Sequence, residues 1–192
     1  MSATSRRERE RSERRRLIID TARELADEQG WEAVTTRRLV ERIEYSQPVL
    51  YSHFAGEEAI VAAVALEGFD ELTAAMAKAR VASVPDRAWA AVAAAYVEFG
   101  VSNPAVYDAM FAQNSELRFA DADTPSSLHS AFEQLSTALA PIAAGRDLET
   151  LTEIGWAALH GLVTLARSGR LRADHHAQRL AMLTEGPLTT AP

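Results

Sequence analysis

The chain has 192 residues, 47% hydrophobic and 24% charged, a composition that builds a packed core and excludes intrinsic disorder. It contains no cysteine, which excludes disulfides, thiol switches and cysteine-based zinc sites, and its apolar runs fall far short of the roughly 20 residues that a bilayer-spanning helix needs. The net charge of −7 is uneven: residues 1–52 carry eleven Arg against ten acids, and residues 53–192 carry nine Lys or Arg against seventeen.

The N-terminus opens on charged residues with no apolar stretch behind them, so no secretory signal is read there and a cytoplasmic location is expected. Arg6, Arg7, Arg9, Arg11, Arg14, Arg15 and Arg16 face only Glu8, Glu10 and Glu13. Such a basic arm suits phosphate contacts, which gain free energy by releasing condensed counterions; a solvated helix start laced with Arg and Glu pairs fits the same residues. From Ser12 to Gln29, Ile18, Ala22, Leu25 and Ala26 recur at helical spacing, and Gly30 supplies the stop. Thr35 is placed to cap a short helix over 36–43 with Leu39, Val40 and Ile43 on one face. Glu44 and Tyr45 make a turn, Ser46 can cap the next helix, and Pro48 is tolerated in its first turn, where the N–H groups lack intrahelical partners. That helix runs to about His53. Glu57 and Glu58 open a long helix to about Lys78, acids being favoured at the positive end of the macrodipole.

Further helices are expected at about 85–102, 104–111, from Ser126 after Pro125, 148–168 and 173–183, with a loop over 112–124 and a frayed tail. No segment alternates with period two, so the fold class is all-α. A domain of residues 1–55 is expected to precede a larger one of residues 56–192.

Two short helices joined by a tight turn and preceded by a supporting helix are the unit that sets a recognition helix into the DNA major groove. Residues 35–54 have that shape. Arg37 and Arg38, with Gln47, Tyr51, Ser52 and His53, supply hydrogen-bonding groups for phosphates and base edges, since Arg pairs bidentately with guanine and Gln with adenine. Taken singly, each such residue is more often part of a solvated face; together they favour DNA.

This stretch resembles the TetR family through Gly30-Trp31, Thr35-Thr36-Arg37-Arg38-Leu39 and Gln47-Pro48-Val49-Leu50-Tyr51-Ser52-His53-Phe54, over about residues 14–66. The resemblance implies DNA contacts from Arg37, Gln47, Pro48, Val49, Tyr51, Ser52 and His53, with Thr36 on phosphate. Two positions depart from the family pattern. Glu44 replaces the usual Gly of the turn, which strains it if φ is positive there, and Glu57 replaces a Lys, which removes a phosphate contact and adds repulsion. The partners implied are double-stranded operator DNA and a second copy of the chain, since one helix-turn-helix reads too few bases. Leu159, Leu162 and Leu180 are the interface candidates.

The C-terminal part resembles the TetR subgroup with a Trp-His-Gly motif, through Tyr96-Val97-Glu98-Phe99, Asn103 to Phe111 and Trp156-Ala157-Ala158-Leu159-His160-Gly161-Leu162. A small apolar or aromatic effector is implied there, with Tyr96, Phe99, Tyr107, Met110, Phe111, Trp156 and His160 as the candidate lining, Tyr107 and His160 in the polar role. A core Trp156 with His160 hydrogen-bonded inside the bundle fits the same spacing. No phosphate-cradling Gly-rich loop, zinc-helix motif or Ser elbow is present, so no enzyme, cofactor or metal is expected. The resemblance implies a repressor released by its effector; a constitutive architectural or coactivating DNA binder without a small ligand is the alternative.

Overall fold

The computed structural model describes residues 3–113 and 124–185, and within them every regular element is a helix. The α-helices are α1 (Ala3–Gln29), α2 (Thr36–Ile43), α3 (Gln47–Tyr51), α4 (Glu57–Ala82), α5 (Ala88–Ser102), α6 (Pro104–Asp108), α7 (Ser126–Leu139), α8 (Leu148–Arg167) and α9 (His176–Glu185). Contacts gather the described residues into two units, 3–68 with 105–113 and 69–104 with 124–185. Helix α4 contributes to both. No helix among the described residues is long and apolar enough to cross a membrane.

In the first unit, α1 presents Ile18, Ile19, Ala22, Leu25 and Ala26 to the core, where they meet Val34, Leu39, Val40, Leu50, Phe54, Ile60 and Val64. Gly30 ends α1 with φ 82°, a conformation that costs glycine little. Helix α1 begins at Ala3, nine residues before the start expected at Ser12, so the basic segment is helix rather than a separate arm. Arg6 pairs with Glu10 one turn on, at 2.9 Å. Arg and Glu are good helix formers, and such pairs support a helix that has no apolar face.

Thr35 caps α2 as expected, its Oγ1 accepting from the Arg38 N–H at 3.3 Å. Glu44 ends α2 in the left-handed region, φ 57° and ψ 34°, and the Tyr45 N–H reaches back to the Val40 carbonyl at 3.1 Å. This is the closure usually made by glycine. Ser46 does not cap α3 through its side chain; its carbonyl takes the Val49 and Leu50 N–H groups instead. A five-residue helix is unstable alone, so α3 is held by Leu50, fully buried, and by Phe54 just beyond it. The segment 105–113 also belongs to this unit: the Trp31 indole donates to the Ala105 carbonyl at 2.8 Å, and a Cβ at Gly68 would stand 2.6 Å from Val106 Cγ1. Gly68 lies in an uninterrupted helix and serves this close approach.

In the second unit, α5, α7, α8 and α9 pack with the end of α4 around Trp89, Val92, Tyr96, Leu135, Leu139 and Leu159. Asp147 caps α8 by accepting from the Thr150 N–H at 2.8 Å. Gly155 gives α8 its close contact with Trp89 and Leu139. Ala112 and Gln113, expected in a loop, close a π-helical turn over Ala109–Gln113; the rest of that expected loop and the tail beyond Glu185 lie outside the described residues.

Candidate nucleic-acid interface and ligand-domain residues

The buried anchor Leu50 fixes the rotation of α3, and helical spacing does the rest. Gln47 and Tyr51 share one face and Pro48 and Ser52 the adjacent one, all four exposed, while Val49 and His53 are half-buried at the edge. Tyr51 is 52% exposed, which is high for an aromatic residue in a small domain. Ser52 Oγ is turned back onto the Val49 carbonyl at 2.6 Å. Burial pushes the His53 imidazole below its usual pKa, with Arg11, Arg14 and Arg15 adding repulsion of a second positive charge.

On α2, Arg37 is exposed and paired with Glu41 at 2.9 Å, a hydrogen bond that raises the guanidinium pKa further. Its two arginine neighbours are held by α1. Arg38 donates to the Gln29 side chain, and Arg42 grips Glu28 with two hydrogen bonds of 2.7 and 2.8 Å. The Arg42 hydrogen bond lowers the Glu28 pKa below the ordinary carboxylate value. Arg37 is thus the α2 arginine that α1 does not hold, while Arg42 fixes how α2 crosses α1.

Thr36 is half-buried at the first turn of α2, and its N–H donates to the Glu57 carboxylate at 2.8 Å. A helix N-terminus attracts anions because its N–H groups and dipole point outward. Glu57 therefore stands on the group that the expected phosphate contact at Thr36 would use. Arg15 completes the surface: its guanidinium lies 4.3 Å from the centroid of the Phe54 ring and donates to the His53 carbonyl at 3.4 Å. Neither contact was legible in local sequence. Glu57 stood out only as a departure from the family's Lys.

The residues expected to line an effector site divide between the two units. Tyr96, Phe99, Trp156 and His160 belong to the second; Tyr107, Met110 and Phe111 belong to the first. Within the second unit the Trp156 indole donates to the Tyr96 hydroxyl at 3.1 Å, joining α8 to α5. His160, one turn along from Trp156, is 3.5 Å from the Thr164 hydroxyl, and burial lowers its pKa. Within the first unit, the Tyr107 and Phe111 rings meet at 4.7 Å between centroids with their planes tilted by 49°, and Met110 is buried against α4.

A cavity of about 660 Å³ in the first unit is lined by Trp31, Val34, Glu57, Glu58, Val61 and Gln113, among others. One of about 180 Å³ in the second unit is lined by residues that include Arg87, Trp89, Ala138, Ile142 and Glu185. Trp156 and His160 line neither. Among the described residues no three metal-ligating side chains converge.

The outer face of α8 carries Ile154 (50% exposed) and Leu165 (40%), separated by Ala157, Ala158 and Gly161, and Met182 on α9 is 68% exposed. Leu159, expected at an interface, is fully buried in the core of its own unit, because it lies on the opposite side of α8 from Ile154; Leu162 and Leu180 are half-buried.

Comparison with known proteins gives a consistent picture. Residues 18–64 match the family described as "Bacterial regulatory proteins, tetR family", and residues 89–185, half of the chain, match "Tetracyclin repressor-like, C-terminal domain". The uncharacterized HTH-type transcriptional regulator YobS of Bacillus subtilis is 35% identical over 94 residues, 49% of each chain, so the match spans about half the length of that relative. A protein from Rhodococcus sp. RHA1 shares the fold with a TM-score of 0.77 and 23% identity, over 89% of this chain and 91% of that one. The transcriptional regulator FadR of Bacillus subtilis, in complex with stearoyl-CoA, does so with a TM-score of 0.68 and 14% identity, over 89% and 98%.

Proposed function

The chain belongs to the TetR family of transcriptional regulators, and from that premise we propose that it is a homodimeric repressor, released from a palindromic operator by a small, mostly apolar effector. The observation that carries the DNA half of this reading is the exposed face of α3, with Gln47, Pro48, Tyr51 and Ser52 outward and Leu50 locked in the core. A helix rotated and fixed in this way offers donors and acceptors to base edges without rearranging. Val49 and His53 flank that face, Arg37 adds a second reader from α2, and Thr36 contacts phosphate. DNA reading is assigned to residues 1–55, and effector binding and dimerisation to residues 56–192.

The homodimer is supported by the outer face of α8. Ile154 and Leu165 bracket small residues that let a second helix approach closely, and Met182 extends the apolar surface onto α9. A two-fold protein matches a palindromic site. The effector assignment is supported by Tyr96, Phe99, Trp156 and His160, a mostly apolar set in which His160 takes the orienting polar role, and by the likeness to FadR, whose structure holds stearoyl-CoA. The second reading is a constitutive DNA-binding regulator without an effector.

The test is selection of genomic DNA fragments by the purified protein, followed by titration of the selected site with small acyl and aromatic compounds. A palindromic site bound by a dimer and released by one compound class is expected. Saturable binding that no compound alters supports the constitutive reading, and failure to enrich any sequence overturns both.

A further inference from the structure

Helix α1 overshoots the domain that it supports. Every residue from Arg11 to Leu17 is exposed, and Ile18 is the first one buried. The row that packs into the core, Ile18, Ala22 and Leu25, continues upstream at the same helical spacing as Arg14, Arg11 and Arg7. The face that is apolar where it meets protein is therefore basic where no protein covers it. From Arg7 to Arg14 this basic row is about 10 Å long.

Its position is fixed by Arg15, which lies over Phe54 at 4.3 Å and bonds the His53 carbonyl, so the overshoot starts beside the end of α3. Arg11 and Arg14 lie close enough to disfavour a charge on His53. Among the described residues, Arg7, Arg11 and Arg14 form no ion pair, whereas Arg6 is paired with Glu10. Three unpaired guanidinium groups on one rigid face, next to a surface that reads DNA, match a run of phosphates in charge.

We propose that Arg7, Arg11 and Arg14 form a second nucleic-acid contact, gripping backbone phosphates of the duplex that flanks the half-site read by α3. This rests on the DNA-binding reading above. The contact supplies affinity without sequence preference, and it offsets the acidic residue that this chain carries at position 57.

The experiment compares the full-length wild type with the triple variants R7Q/R11Q/R14Q and R7K/R11K/R14K. Each is titrated by fluorescence anisotropy with the selected operator in a long duplex and in one trimmed to the palindrome, at 50 to 200 mM salt. Gln keeps helix propensity, and circular dichroism checks that α1 persists. Each lost phosphate contact flattens the plot of log affinity against log salt by about 0.9. On the long duplex, where a dimer brings one such row to each half-site, the Gln variant is thus expected to lose about 5.4 from the slope, so that the wild type weakens about 1,800-fold more than the variant over the fourfold salt step. Lys is expected to restore most of the slope, and trimming is expected to abolish the difference. Equal slopes for wild type and Gln variant on the long duplex overturn the proposal while leaving the DNA-binding reading intact. A wild type that binds neither duplex overturns both.

Discussion

Replacing Glu57 by Gln is expected to move fold stability and DNA affinity in opposite directions. In the free protein the carboxylate accepts from the Thr36 N–H at 2.8 Å and sits at the positive end of α2. Gln keeps an acceptor oxygen but removes the charge, so the loss is the dipole contribution of about 0.3–1 kcal/mol, a fall in Tm of about 1–4 °C for a chain of this size. On DNA the proposed phosphate contact at Thr36 would put the same carboxylate in competition with phosphate for the Thr36 N–H. A phosphate seated there would stand about 5 Å from it, and two unit charges at that distance repel by about 0.8 kcal/mol even at the dielectric constant of water. Removing the charge is therefore expected to tighten binding about fourfold per half-site and more than tenfold for a two-site operator. Glu57→Lys extends the gain by turning repulsion into attraction. Thermal melts and anisotropy titrations on the selected operator at fixed salt read the two quantities separately. If Glu57→Gln weakened operator binding, the carboxylate would be a positioning group for α2 on DNA, and the competition argument would be refuted.

Arg37→Ala and Gln47→Ala are each expected to weaken operator binding about ten- to hundredfold, with a smaller effect on random duplex, because each would delete a proposed base-edge hydrogen bond; equal losses on both duplexes would reduce them to phosphate contacts or supports of the fold. Glu44→Gly removes a left-handed non-glycine residue at φ 57° and is expected to stabilise the protein by about 1 kcal/mol in urea unfolding, the relief of strain exceeding the entropy lost. Gly68→Ala places a methyl group 2.6 Å from Val106 Cγ1 and 2.8 Å from Met110 Sδ, and a net cost of about 1–2 kcal/mol is expected after the gain in helix propensity; an unchanged Tm would show that α6 yields freely. His53 and His160 both have imidazole pKa values held below the usual 6.5, chiefly by burial. The unfolded chain then takes up these protons first, so stability falls as pH drops below about 6.5 towards the lowered folded values. The double variant H53Q/H160Q should show a flatter stability profile between pH 7 and pH 5, measured by urea unfolding, and a slope like that of the wild type would contradict the assignment.

The all-α class, the helix-turn-helix and most helix ends were legible in the sequence because short-range physics sets them. Thr35 caps α2 through an N–H three residues away, Gly30 and Gly169 end α1 and α8 with positive φ, and Leu39, Val40 and Leu50 mark the buried faces by their spacing. The resemblance carried by residues 30–54 pointed to the same surface. What the sequence left open depended on residues far apart along the chain. Glu57 meets the N-terminus of α2 across 21 residues, Arg15 reaches His53 across 38, and Arg42 reaches Glu28 across 14. No periodicity encodes such pairs, because each needs the crossing angle of two helices to be set first by core packing. The same holds for α8, where Leu159 and Leu165 are alike in type and neighbours in pattern. One is buried and the other 40% exposed, since burial is decided by which helices cover a face, and that choice belongs to the tertiary structure.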